Sequence, residues 1–136
     1  MPGSRLALAE ARGVLEAALD KADEIGQPMN IAVVDDGGHL LAFARQDGAI
    51  LAGIDIAIRK ARTAVLMKMS TAELGKAAAP GGPLNGIGVT NGGLVIFGGG
   101  IPLAGTRGDV VGAIGVSAGA VDQDIAVAQA GVDAFG

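Results

Sequence analysis

The chain has 136 residues, half of them apolar, with a formal net charge of −4, three phenylalanines and no tyrosine, tryptophan or cysteine. That length suits one domain with a buried core. The acidic balance and scarce aromatics argue against a nucleic-acid partner, which needs a basic footprint and stacking platforms, and the missing cysteines remove disulfides, thiolate metal sites and cysteine nucleophiles together.

Residues 5–25 read as an amphipathic helix. Leu8, Ala11, Leu15, Ala18, Ala22 and Ile25 recur at helical spacing, and Gly26 with Pro28 ends the run. Residues 29–48 read as a hairpin of two strands around the turn Asp35-Asp36-Gly37-Gly38. A second helix is expected from Ile50 to Met69, with Ile54, Ile58, Ala61, Val65 and Met69 as its buried stripe. Ser70-Thr71-Ala72-Glu73 fits a capping box and opens a short helix at about 71–78. Pro80 to Gly93 reads as loop, and "GLVIFGGGIPLAG" as two strand-like pieces separated by three glycines. A strand over 109–117 and a helix over 120–135, with Val121, Ile125, Ala128 and Val132 on one side, complete a single α+β domain over 1–136.

Residues 77–106 carry no formal charge, but Pro80, Pro83, Pro102 and ten glycines break the stretch, so no membrane span is expected. No basic segment followed by an apolar one opens the chain, and a cytoplasmic location is the expectation.

The glycines of "GDVVGAIGVSAGAVDQD" (108–124) invite a phosphate-loop reading. Gly100 to Gly105 has P-loop glycine spacing but continues as Thr106-Arg107, without the lysine that such a loop needs. A strand fits better. Strict alternation puts Val110, Gly112, Ile114 and Val116 on one face and Val111, Ala113, Gly115 and Ser117 on the other. The second face is small enough for a helix backbone or a ligand to approach. Asp122 and Asp124 then lie in the first turn of the last helix, where the helix dipole favours carboxylates.

Among the polar residues, Arg45 and Asp47 close the second strand, where a guanidinium could hold a carboxylate or form a structural pair. Lys60 and Thr63 share a helix face with Arg59 and Arg62 nearby, and spacing alone favours the wet side of that helix slightly. His39, the sole imidazole, follows Gly38 at the hairpin turn, a solvent-facing place. A Ser117–His39–Asp triad can be drawn, but no spacing brings its members together. The acidic residues lack metal-ligand clustering, so no intrinsic metal site is expected.

"MNIAVVDDGGHLLAFARQDGA", "IAIRKARTA" and "GGIPLAGTRGDVVGAIGVSAG", with the later "DQDIAVAQAG", together resemble the GlcG/HbpS family, and the resemblance covers nearly the whole chain. It implies a profilin-like fold, a five-stranded antiparallel sheet flanked by helices, assembled into dimers, tetramers or octamers. Some members bind haem or help degrade it; others accompany corrinoid adenosyltransferases or glycolate oxidation. The family's R-x-D-G-A pattern falls on Arg45, Asp47, Gly48 and Ala49, and its K-A-x-T-A pattern on Lys60, Ala61, Thr63 and Ala64. Its G-G-x-P element is Gly99 to Pro102, its G-A-I-G-V-S element is Gly112 to Ser117, and its Q-D pair is Gln123-Asp124. Gln46 departs from a common Met, and Ala118 from a common glycine.

Three functions follow as expectations. The first is a binding protein for haem or a related tetrapyrrole. Arg45 or Lys60 would pair with propionates, Gly99 and Gly100 would admit the ring, and His39 would be the candidate axial donor. The second is a cytoplasmic isomerase, hydratase or hydrolase acting on a small carboxylate. Arg45 would anchor the substrate, Lys60 or Asp124 would move a proton, and N–H groups near Gly99-Gly100 would face an oxyanion. The third is a non-catalytic, oligomeric accessory subunit. The ligand-binding set is thus Arg45, Asp47, Lys60, Thr63, Gly99 and Gly100, with Lys60 and Asp124 as the catalytic pair of the enzyme alternative.

Overall fold

A computed structural model describes residues 5–136. In chain order it contains α1 (Leu8–Ile25), β1 (Asn30–Asp35), β2 (Leu40–Arg45), α2 (Ala52–Met67), α3 (Thr71–Ala77), a single 3-10 turn (Ile87–Val89), β3 (Gly100–Ala104), β4 (Val110–Ser117) and α4 (Val121–Ala134). The sheet is antiparallel with strand order β2-β1-β4-β3. Helices α1 and α4 pack together on one face of the sheet and α2 covers the other.

Local chemistry sets the element ends where expected. Gly26 stops α1 in the left-handed region at φ 73°, and its N–H bonds to the carbonyls of Ala22 and Asp23. Ser70 Oγ accepts the Glu73 N–H at 3.2 Å and starts α3. At the hairpin, Asp35 Oδ1 accepts the N–H groups of Gly37 and His39 at 2.9 and 3.0 Å, a side chain standing in for a backbone turn.

Two cores flank the sheet. Ile31, Val33, Ile114 and Val116 face α1 and α4, while Ala32, Val34 and Ala113 face Ala57, Ala61 and Ala64 of α2. The second interface uses almost nothing larger than valine, so it holds together by backbone approach. Gly115 shows why: a Cβ there would press on the Ala57 carbonyl oxygen and lie 2.6 Å from the Ala61 nitrogen. The glycines of β4 therefore admit a helix.

Four expectations need correction. Among the described residues the sheet has four strands, not five: residues 94–97 form no ladder, since the Val95 N–H goes to Thr63 Oγ1 and the Leu94 N–H to the Gly88 carbonyl. Alternation along β4 is not strict, because a bulge opposite Leu103/Ala104 turns Val111 to the α1–α4 core beside Ile114 and Val116. The buried stripe of α2 is rotated to Gly53, Ala57, Lys60, Ala61, Thr63, Ala64 and Val65, leaving Ile54 and Ile58 only partly covered. Likewise α4 buries Asp124, Val127, Ala128 and Gly131 and exposes Val121. Ala118 adopts φ 126°, a conformation that favours glycine. Among the described residues, no helix is long and apolar enough to cross a membrane.

Candidate functional site

The candidate residues fall into three separate places. The first is internal. Lys60, on the third turn of α2, is fully buried and donates from Nζ to the Val116 carbonyl at 2.8 Å and to Asp124 Oδ2 at 2.9 Å. Asp124 Oδ1 in turn accepts the Gly119 N–H at 2.9 Å, and Gln123 Oε1 accepts the Ala120 N–H at 2.9 Å, so the Gln-Asp pair fixes the start of α4. The ion pair thus ties α2 to α4 around the β3 side of the sheet. The spacing-based placement of Lys60 on a wet helix face is overturned by its complete burial.

Burial lowers the Lys60 pKa below 10.5, against the pull of Asp124. Burial likewise raises Asp124 above 3.8, against the Lys60 ammonium and the Gly119 N–H. Both shifts point towards the neutral forms, as expected for charges removed from water.

The neighbours of Lys60 are shaped around it. Gly99 sits at φ 127°, and a Cβ there would lie 2.6 Å from Lys60 Nζ and from the Val116 oxygen. Gly100 passes against the Lys60 carbonyl, and its N–H donates to Thr71 Oγ1 at 2.9 Å. These glycines face the protein's own lysine and helix backbone, and the Gly100 N–H is already used. Thr63 Oγ1 donates to the Arg59 carbonyl and accepts the Val95 N–H, which makes it a clamp on the segment before β3.

The second place is a cleft of about 550 Å³ between the end of α1 and the end of β2, lined in part by Asp23, Gln27, Arg45, Gln46 and Asp47. Arg45 and Asp47 are exposed there. Gln46 bridges the cleft floor, accepting the Met29 N–H and donating to Asp23. Lys60 does not line this cleft, so one carboxylate substrate held by Arg45 would not meet the lysine.

The third place is the hairpin turn. The His39 side chain is 84% exposed, with Nδ1 3.5 Å from Asp35 Oδ1. His39 precedes β2 and Arg45 ends it, about 20 Å of strand apart. Beside the turn lies Arg62, whose Cγ is 3.4 Å from where a Gly38 Cβ would stand, and Leu40 and Leu66 are exposed. Sequence reasoning passed over Arg62 as one of several wet cations; only the packing of α2 on the hairpin brings its stem against Gly38. Ser117 is buried at the far end of β4, so no Ser117–His39 pair forms.

These features define a small α+β domain with a buried lysine–aspartate tie and an exposed histidine turn. Residues 6–133 match the family described as Haem degrading protein HbpS-like, and the chain belongs to that family. It is similar to a 15.0 kDa protein of Citrobacter freundii from the dhaT–dhaS intergenic region, at 41% identity over 96% of this chain and 92% of that protein. It is also similar in structure to Klebsiella pneumoniae protein ORFY (TM-score 0.93, 38% identity, 99% of this chain and 93% of that one). A PduOC–haem complex matches with TM-score 0.90 and 34% identity over 96% of this chain and 94% of that chain.

Proposed function

We propose that this protein binds haem or a related tetrapyrrole at the His39 turn. The observation that carries the reading is the likeness, at TM-score 0.90 over nearly the full length, to a relative whose structure is a haem complex. The turn and helix α2, which packs on it through Arg62, carry groups that suit such a ligand. His39 offers an imidazole open to solvent, Leu40 and Leu66 offer apolar surface, and the Arg62 guanidinium suits a propionate. Bound there, haem would supply redox-active iron; the chain's part is to hold and orient it. Lys60 is fully buried against Asp124, which leaves the propionate role to Arg62, partly exposed and with one N–H group already on the Asn91 carbonyl, or, in the other cleft, to Arg45.

We read the scaffold as profilin-like and the protein as cytoplasmic and homo-oligomeric; the exposed Ile50, Leu51, Val89 and Val121 support the self-association. Haemin titration tests the function. We expect a Soret shift at micromolar haemin that weakens in His39→Ala and Arg62→Ala and persists in Arg45→Ala. No shift, or one unchanged in His39→Ala, refutes the site.

A further inference from the structure

Lys60 has no exposed surface, and a partly exposed aromatic side chain lies over its ammonium. The Phe97 ring lies over Nζ with its centroid at 5.0 Å, and Phe97 itself is 43% exposed. Gly99 contributes no side chain to that cover. The backbone carrying Phe97 is held at both ends, by the Val95 N–H on Thr63 Oγ1 (3.1 Å) and the Gly100 N–H on Thr71 Oγ1 (2.9 Å). Between those anchors, Gly75 of α3 abuts the Ile96 carbonyl, and a Cβ at Gly98 would strike the Ile125 side chain of α4. The main chain is therefore held on both sides of Phe97, and an outward swing of the ring requires only its side-chain torsions. Two of the three ammonium protons are committed, to Val116 and Asp124, and the third faces the ring.

We propose that Lys60 is a gated reactive amine: with the Phe97 ring swung outward, Nζ condenses with a small aldehyde or ketone, and Asp124 carries the proton. The ammonium first passes a proton to Asp124, and the free lone pair forms the C–N bond to the carbonyl carbon. The carbonyl π electrons move to oxygen, which takes the Asp124 proton to give a carbinolamine. A second nitrogen proton then reaches the hydroxyl through Asp124, the C–O bond breaks and water leaves. The remaining nitrogen proton stays on the iminium, which keeps the ion pair with the Asp124 carboxylate. The burial that depresses the Lys60 pKa makes the first transfer cheaper than it is for a lysine in water. This inference stands apart from tetrapyrrole binding at the His39 turn.

The test uses the native protein with acetaldehyde and sodium cyanoborohydride, followed over time by peptide mass mapping. The other lysines, Lys21, Lys68 and Lys76, serve as internal controls. We expect ethylation of Lys60 in the wild type, a severalfold faster rate at that residue alone in Phe97→Ala, and a slower one in Asp124→Asn. Lys60 left unmodified in both wild type and Phe97→Ala while the controls react overturns the proposal. A Lys60 rate that rises with low urea in step with global unfolding overturns it equally, because the amine would then be reached only in the unfolded chain. Haemin titration of the same samples reports on the other site independently.

Discussion

Removing Lys60 alone exposes the energetics of the buried pair most directly. In Lys60→Met the apolar stem is kept, but Asp124 Oδ2 loses its donor inside the protein at 4% side-chain exposure. Breaking one partner of such a pair costs about 3–5 kcal/mol, because the other charge stays buried without compensation. Replacing both, in Lys60→Met/Asp124→Leu, should return the protein to within about 1 kcal/mol of wild type, the deficit being the Gly119 N–H left without an acceptor. The pH dependence of the single variant has a defined sign. Burial already holds the Asp124 carboxyl above 3.8 with Lys60 opposing that shift, and without the cation the carboxyl rises further. A folded-state pKa above the unfolded value means that the native state binds the extra proton, so stability is regained as pH falls through that window towards 3.8. Urea unfolding of wild type, both singles and the double variant, between pH 7 and 4, measures all of this. A Lys60→Met loss below about 1 kcal/mol, or one equal at both ends of the range, would refute the placement of the pair out of water.

The small-residue interface makes a paired prediction. Gly115→Ala should cost at least about 2 kcal/mol by thermal melting, since the new methyl meets the α2 backbone at Ala57 and Ala61, whereas Ala118→Gly should gain about 1 kcal/mol by relieving φ 126°. At the hairpin, burial works to raise the Asp35 pKa, but the His39 and Gly37 N–H groups outweigh it and hold it below 3.8. This contribution is present above 3.8 and is lost as pH falls through the lowered folded value. Asp35→Ala should therefore cost about 1–2 kcal/mol at neutral pH and nothing in strong acid.

What could be read from the chain was local. The left-handed stop at Gly26, the Ser70 cap, the Asp35–Gly38 turn and the body of β4 each rest on chemistry within a few residues, and each lies where it was expected. The rotated stripe of α2 was not legible, because a hydrophobicity pattern weights Ile54 and Ile58 above alanines. The helix instead turns its smallest face to the sheet to come close at Gly115. Lys60 stood out through its motif, but its burial depends on Asp124, 64 positions away, and no local pattern encodes that distance. The bulge at Val111 was hidden for a related reason: apolar residues at both 110 and 111 suit either face, and only pairing with β3 decides.

The missing fifth strand and the crowded polar turn of α2 have one explanation. A strand over residues 94–97 would need its donors and acceptors for a ladder beside another strand. Over a single stretch of α2, Arg59 donates to the Gly92 carbonyl at 2.6 Å, Arg62 to the Asn91 carbonyl at 2.9 Å, and Thr63 Oγ1 accepts from Val95. Lys60, between them, lies beneath Phe97. Helix α2 thus takes hold of the approach to β3 with side chains, and the segment runs over the lysine as a strap. Arg59, Arg62 and Thr63 grip the strap's backbone, whereas Lys60 reaches past it to Val116 and Asp124. The grip fixes where Phe97 sits, and Phe97 in turn lies over the ammonium.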